Sequence, residues 1–189
     1  MLKQTIGRPF IGGNDIRILN NGVEILPAML DAIEAAERLR IVTAYCNPDR
    51  LLVDLLLAAK EKGVDVRIPV PGRYCDSRMS QLAGYQSMCR LLEAGVRFWM
   101  YQRTMPHTKA LTVDSALAVI GSPNLNFRSM GKDEECCVAV FSPEVAGQLD
   151  ERFDDDYRFA DEQDAEQWAS RGRWRRLQER LCQLVEEQL

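Results

Sequence analysis

HTKALTVD at residues 107–114 and GSPN at residues 121–124 are the segments from which we infer the chemistry and the architecture of this chain. In an extended strand, residues two apart share a face, so His107 and Lys109 project together while Thr108 points away. An imidazole beside an ammonium group resists protonation because like charges repel, and a neutral imidazole is a nucleophile or a base at physiological pH. The ammonium group can bind a phosphate oxygen at the same time. The pair therefore predicts a site for a phosphate ester.

The second segment predicts an anion-binding turn. Ser122 can cap a helical turn and Pro123 suits its first position, which would leave backbone N–H groups facing an anion. The side chains of Ser122 and Asn124 can add hydrogen bonds to phosphate oxygens. Further along, Glu135 stands at the start of a strand-like segment, where a carboxylate bonded to one ring nitrogen would orient the imidazole of His107 and stabilise its protonated form.

His107 is the only histidine in the chain, and a lone histidine near a lysine is usually an ordinary surface or core residue. The complete string, however, reads H-x-K-x4-D-x6-G-S-x-N with no position missing. It resembles the signature of the phospholipase D superfamily. An accidental match of six fixed positions in so short a window is very improbable.

The resemblance extends beyond this motif and is strongest to the C-terminal half of bacterial cardiolipin synthases. The segments that carry it are AYCNPDR at 44–50, EKGVDVRIPVPGR at 61–73, LLEAGVRFWMYQ at 91–102, Arg128-Ser129 followed by Glu135, and the tail rich in Trp, Arg and Leu. The segment at residues 9–33 instead resembles the start of the first half of those enzymes. The likeness therefore covers nearly the whole chain.

The resemblance implies a two-histidine mechanism. One histidine attacks phosphorus and forms a phosphohistidine, and a second protonates the leaving oxygen. Because this chain has only His107, the second histidine has to come from another copy, which a two-fold symmetric homodimer supplies.

The resemblance also assigns roles to the neighbouring residues. Lys109, Ser122 and Asn124 would bind the phosphate oxygens, and Glu135 would orient the imidazole. Asp114 completes the catalytic motif and is expected to organise it, because it stands at the far end of the strand. Neither a cofactor nor a metal is implied, since lysines take the place of a cation.

Three functions remain open at this point. The first is phosphatidyl transfer between phospholipids such as phosphatidylglycerol, as in cardiolipin synthesis. The second is a single-motif endonuclease, for which a local basic patch would be needed; its candidates are Arg73, Arg78, Arg97 and Arg103. The third is a truncated synthase remnant without catalysis, against which the intact motif argues.

Composition narrows the class of protein. Hydrophobic residues make up 46% and charged residues 28%, which is typical of a globular domain, and the net charge of −4 disfavours a nucleic-acid partner. No apolar run approaches the ~18–20 residues that span a bilayer, and the N-terminus lacks an apolar signal-peptide core. We therefore expect a cytoplasmic protein whose membrane contact, if any, is peripheral to the inner face.

Strand and helix patterns alternate along the chain, which predicts an α/β layer with helices on both faces of a sheet. Together with the resemblance, this predicts a phospholipase D-like α-β-α sandwich with a mixed, mainly parallel central sheet. We expect one domain over residues 1–160 and a helical tail over 161–189.

The tail is amphipathic. Its apolar residues fall on one helical face, namely Trp174, Leu177, Leu181, Leu184 and Val185, and arginines accompany them at 171, 173, 175 and 176. Two interpretations are open. The helix either lies on an anionic membrane surface or packs on the domain or a partner subunit, and packing is the commoner case.

Overall fold

The structure, a computed structural model, describes residues 11–184. The strands are β1 (Asp15–Asn20), β2 (Arg38–Val42), β3 (Cys46–Asn47), β4 (Asp65–Pro71), β5 (Arg97–Tyr101), β6 (Ala110–Val113), β7 (Leu117–Gly121), β8 (Leu125–Asn126), β9 (Cys136–Phe141) and β10 (Ala160–Glu162). The helices are α1 (Asn21–Glu34), α2 (Arg50–Glu61), α3 (Arg78–Glu93), α4 (Phe127–Gly131), α5 (Pro143–Tyr157), α6 (Ala165–Ala169) and α7 (Arg173–Gln183).

Eight of the described strands form one sheet in the order β1-β9-β7-β6-β2-β4-β5-β10. The sheet is mixed, as expected, but the expectation of mainly parallel pairing is corrected. Only β2–β4 and β4–β5 are parallel, whereas the other five neighbouring pairs are antiparallel. The reason lies in the connections: β6 and β7 are joined by a tight turn, which permits only antiparallel pairing, while the parallel pairs have helical crossovers.

Helices cover both faces of this sheet, which confirms the sandwich. One face carries α1, α2 and α3 over a large apolar core that includes Ile33, Leu56 and Phe98, all of which are fully buried. The other face carries α5, whose Phe153 packs against Val42 and Ala110. The sheet therefore forms the middle layer, and the ends of its strands are left for a site.

Helix α2 shows how local sequence sets an element. Its N-cap is Asp49, whose side chain accepts a hydrogen bond from the backbone N–H of Leu52 at 2.9 Å, and the left-handed Gly63 (φ 88°) follows its C-terminal end. Leu52 and Leu56 are four residues apart, so they bury one face against the core. Both ends of α2 therefore lie at residue types that favour helix termini.

Helix α5 is fixed to the sheet by buried polar groups. Arg40 and Asp150 are 6% and 7% exposed, and Thr112 Oγ1 donates to Asp150 Oδ1 at 2.6 Å. Arg40 Nη1 also donates to Asp154 at 2.7 Å. Because a buried charge is costly without a partner, these contacts determine where α5 lies on the sheet.

Helix α1 begins at Asn21, whose N–H donates to the Glu135 carbonyl at 2.8 Å and whose side-chain oxygen accepts from the Glu135 N–H at 2.9 Å. One sequence expectation about the C-terminal part needs correction. The domain boundary expected between residues 160 and 161 falls inside β10, which pairs with the edge of β5. Residues up to 162 thus belong to the sheet.

The tail packs on the domain through α6 and α7, both of which contact α3. No helix within residues 11–184 is long and apolar enough to cross a membrane. Residues 1–10, and Val185 of the expected apolar face, lie outside the described residues.

Candidate active site

The site is centred on His107, which lies on an exposed loop just before β6. Lys109 Nζ is 2.8 Å from Nδ1 and 3.1 Å from Nε2 of His107, and it donates to the backbone carbonyl of His107 at 3.1 Å. Because an ammonium group can only donate and a neutral imidazole has a lone pair on one ring nitrogen only, at most one of these two ring contacts is a hydrogen bond. The two side chains lie together as expected, although residues 107–109 form a loop and not the strand that the i, i+2 argument assumed.

Strand β6 holds this pair in place. All four of its residues are buried, and Lys109 at its start is bound to the neighbouring strand through the N–H of Gly121, which donates to the Lys109 carbonyl at 3.2 Å. Lys109, Gly121 and Asn124 line the same cleft. The site thus forms where β6 starts and β7 ends.

The Lys109 ammonium has a lowered pKa. Partial burial removes water from the charged form and lowers the pKa, while the negative charges of Glu135 and Asp76 act in the opposite direction. Because carboxylates raise its pKa through space, Lys109 lies within electrostatic reach of both. A partly desolvated ammonium group interacts more strongly with a phosphate oxygen than an exposed one does.

Glu135 and Ser122 contact each other. The Ser122 hydroxyl donates to Glu135 Oε2 and accepts from the N–H of Cys136 at 3.1 Å. Among the residues that the structure describes, the Glu135 carboxylate makes no hydrogen bond to His107, so the orienting contact expected from the sequence is replaced by the one to Ser122. The cause is that Ser122 follows the last residue of β7 directly beside the start of β9, where its N–H donates to the Cys136 carbonyl at 3.1 Å.

The expected helical turn at Ser122-Pro123 is not formed. The chain continues instead as β8, and the short helix α4 begins at Phe127 with Asn126 as its N-cap. Leu125 N–H donates to Thr43 Oγ1 at 3.1 Å, which ties the segment to the end of β2. The predicted anion site made of backbone N–H groups is therefore absent from Ser122-Pro123.

Asn124 still faces the cleft beside Lys109. Its backbone N–H donates to Ser129 Oγ at 3.0 Å, whereas its side-chain oxygen is buried and has no hydrogen-bond partner within the described chain. A buried polar group without a partner is uncommon and is expected where a ligand completes the bonding. Phosphate binding by Asn124 stays a prediction of the motif, and this unpartnered oxygen supports it.

Asp114 does not join this group. It stands at the opposite end of β6 from Lys109, with a left-handed backbone (φ 52°). Its Oδ1 accepts from the N–H groups of Glu37 at 3.0 Å and Arg38 at 2.7 Å, so it ties the β6–β7 turn to the start of β2. Its position fits the organising role expected for it and places it away from the reacting groups.

Tyr45 and Asp76 are site neighbours that the sequence reasoning missed. The Tyr45 ring lies edge-on to His107 with ring centroids 6.5 Å apart, and its hydroxyl donates to both carboxylate oxygens of Asp76 at 2.8 and 2.9 Å. Burial, together with this hydrogen bond, raises the pKa of Tyr45 to about 12. The segment AYCNPDR contains Tyr45, but nothing in the sequence points to Asp76.

The four arginines considered for a nucleic-acid surface are divided among different places. Arg97 forms an ion pair with Glu162 at 2.8 Å, and Arg78 bonds to Gln81 within α3. Arg103 lies over the Phe159 ring at 4.3 Å. Arg73 Nε donates to the backbone carbonyl of Gln102 at 3.2 Å, so each of the four arginines has a contact within the described chain.

Comparison with known proteins shows the family to which the chain belongs. Residues 29–157 match the family described as "Cardiolipin synthase, PLD-like domain". This chain belongs to that family. Cardiolipin synthase A of Yersinia pseudotuberculosis (serotype O:1b, strain IP 31758) is 32% identical over 175 residues, which are 89% of this chain and 36% of that protein. The chain thus spans about a third of the length of the curated relatives it matches.

Solved structures show the same fold. Nuc from Salmonella typhimurium, a phospholipase D family member, superposes with a TM-score of 0.70 at 22% identity over 80% of this chain and 99% of that chain. Phosphatidylserine synthase of Haemophilus influenzae Rd KW20 gives a TM-score of 0.75 at 18% identity over 95% of this chain and 49% of that chain. Both comparisons confirm the predicted phospholipase D-like architecture.

Proposed function

We propose that this protein is a cardiolipin synthase-like phosphatidyltransferase that cleaves a phospholipid phosphodiester through a phosphohistidine. The observation that carries the proposal is the contact of Lys109 Nζ with both ring nitrogens of His107, at 2.8 and 3.1 Å, while Lys109 also lines a cleft with Asn124. Family membership and the identity of 32% to cardiolipin synthase A support a phospholipid as the substrate.

In this mechanism a ring nitrogen of His107 attacks phosphorus, and a P–N bond forms as the bond from phosphorus to the leaving alcohol breaks. A second histidine gives its proton to the leaving oxygen and then takes one from the acceptor hydroxyl. The acceptor oxygen attacks phosphorus and the P–N bond breaks. Lys109 and Asn124 stabilise the negative charge on the phosphate oxygens in both steps.

The second histidine implies a homodimer, since His107 is the only histidine of the chain. His107 is exposed in the single chain. This exposure is expected if a second copy has to cover His107 to complete the site. The alignment with Nuc covers 99% of that chain, so a unit of this size can constitute a whole chain in this fold. A two-fold axis beside His107 would bring the same residues together from both copies.

An apolar patch lies close to this half-site. Ile18, Val138 and Ile120 stand directly opposite one another on three neighbouring strands, and the two isoleucines are 64% and 37% exposed. Ile120 is two residues before Ser122 in the sequence. Apolar side chains exposed together support a protein–protein contact on this part of the sheet.

The proposal is tested with defined substrates. Purified protein is incubated with phosphatidylglycerol vesicles, and the lipids are separated by thin-layer chromatography. We expect cardiolipin and free glycerol as products, and we expect His107→Ala to lower the rate at least about a thousandfold because no nucleophile remains. Lys62→Gln, a charge change at the exposed end of α2, is the control and should retain activity.

The alternative activities have their own outcomes. Phosphatidic acid in place of cardiolipin would show that water is the acceptor. Nicking of plasmid DNA that depends on His107, without turnover of lipid, would replace the proposal with a nuclease. Absence of both activities in a folded dimer would support the non-catalytic remnant.

A further inference from the structure

Helix α7 is attached to the domain through a buried ion pair. Glu179 is 3% exposed, and its two carboxylate oxygens accept from Arg171 Nε at 3.1 Å and Nη2 at 3.0 Å. The Arg171 guanidinium also lies 3.8 Å above the Trp168 ring, which is itself buried and packs edge-on against Tyr85. Such a pair is strongly directional, so it fixes which side of α7 faces α3.

The apolar side of α7 consequently points away from the protein. Trp174, Leu177, Leu181 and Leu184 are 72%, 45%, 56% and 82% exposed. These four residues follow each other at three- to four-residue intervals and form one stripe, called here the outer stripe. An amphipathic helix that packs on its own domain usually buries its apolar side. Helix α7 instead packs through the side that carries Glu179 and leaves its apolar side exposed.

Arginines flank the outer stripe. Arg173, Arg176 and Arg180 recur at intervals of three and four residues, are exposed, and form no ion pair with any other residue in the described range 11–184. Glu179 is the only acidic residue of α7, and it is buried against Arg171. Apart from the neutral Gln178, the exposed residues of α7 are therefore apolar or positively charged, on a chain whose net charge is −4.

We propose that α7 is an interfacial helix that binds an anionic lipid surface, with the outer stripe among the acyl chains and the flanking arginines at the headgroup phosphates. A tryptophan and three leucines supply apolar area, and guanidinium groups pair with phosphate in a bidentate manner. This combination fits a lipid surface better than a protein partner, for which acidic groups would have to match three unpaired arginines.

The helix is linked to the candidate site through α3. Arg175 lies 5.6 Å from the Tyr85 ring, and Arg78 in the first turn of α3 donates to the Tyr85 hydroxyl at 3.5 Å. Just before α3, Asp76 accepts from Tyr45, whose ring is next to His107. Binding of α7 to a membrane would thus hold the site close to the same surface. The inference does not depend on the proposed catalysis.

Tryptophan fluorescence gives a direct test. Of the three tryptophans, Trp99 and Trp168 are 7% and 6% exposed, whereas Trp174 is 72% exposed. Addition of phosphatidylglycerol vesicles should shift the emission to shorter wavelength and protect it from acrylamide. Pure phosphatidylcholine vesicles should have much less effect. Trp174→Phe should still sediment with the vesicles but lose the spectral change.

A matched pair of variants isolates the outer stripe. Leu177→Ser combined with Leu181→Ser should weaken partition into phosphatidylglycerol vesicles by roughly ten- to hundredfold, because less apolar area is buried. Leu51→Ser is the control, since Leu51 is 50% exposed on α2, comparable to the two stripe leucines. His107→Ala should bind vesicles as the wild type does, which separates surface binding from capture of lipid in the active site.

Two results would overturn the proposal. One is vesicle binding that the double leucine variant retains in full. The other is a double variant whose mass by light scattering falls relative to wild type while vesicle binding is unchanged, which would assign the outer stripe to a second copy of the chain. Loss of lipid turnover in His107→Ala with normal vesicle binding would bear only on the catalytic proposal.

Discussion

At the scale of single residues, the site depends on an electrostatic balance around Lys109. Partial burial favours the neutral amine and the carboxylates of Glu135 and Asp76 favour the ammonium form. The net result is a lowered pKa. The two carboxylates therefore have two roles. They favour the charged form of Lys109, and they accept hydrogen bonds from Ser122 and Tyr45.

This balance predicts a shift in the pH profile. Activity requires charged Lys109, so it is lost as pH rises through the pKa of Lys109. Asp76→Asn removes a charge that raises this pKa, so the alkaline limb of kcat/KM should move to lower pH, and Glu135→Gln should move it in the same direction. Asp155→Asn, on the outer surface of α5, should leave the limb in place. An alkaline limb that is unchanged or moves upward in Asp76→Asn would contradict this account.

At the scale of elements, the close approach of β7 and β9 holds the site together. A Cβ placed on Gly121 would lie 2.4 Å from the carbonyl oxygen of Cys136 and 2.4 Å from Cys137 Cβ. Neither neighbour can move without shifting β9. The strand ends that carry Ser122 and Glu135 therefore meet only because residue 121 has no side chain.

Gly121→Ala is accordingly expected to destabilise the protein by ~1–3 kcal/mol, as overpacking of a core does, and to lower kcat as Ser122 and Glu135 are displaced. Urea unfolding followed by circular dichroism measures the first effect. Gly147→Ala is the matched control because a Cβ there meets nothing within 4 Å, and in the interior of α5 it should be neutral or stabilise by about 0.5–1 kcal/mol. Equal free energies of unfolding for the two variants would show that the structure can relieve the close contact at residue 121, and would contradict this prediction.

At the scale of the whole molecule, the single histidine predicts behaviour on mixing. If each active site needs His107 from both copies, a dimer with one His107→Ala chain is inactive. After subunit exchange with an equal amount of His107→Ala chain, wild-type activity should fall to about half, because only wild-type pairs remain active. Mixing with Leu51→Ser chain should show no such loss. Activity that is unaffected by His107→Ala, or full activity in a chain shown to be monomeric, would rule out the shared site.

The pattern of apolar residues and caps was enough to locate most elements, because strand alternation and helix termini depend on residues that are close together in the sequence. Strand β9, which is the apolar segment CCVAVF, and helix α2, which begins after the Asp49 cap, are elements of this kind. The short strands β3, β8 and β10 were not predicted, since two or three residues carry too little periodicity. Their pairing depends on partners distant in the chain.

The sequence alone determined the family through a motif of fixed spacing, and this motif places Lys109 two residues after His107. The structure decided that both residues lie on a loop before β6, where Lys109 Nζ contacts the His107 ring. Only the tertiary structure decided which strands pair antiparallel, that Glu135 bonds to Ser122, and that Asp76 reaches Tyr45. It also decided which side of α7 faces outward. The amphipathic pattern was visible in the sequence, but the buried partner that orients the helix, Arg171 with Glu179, forms only when the chain has folded.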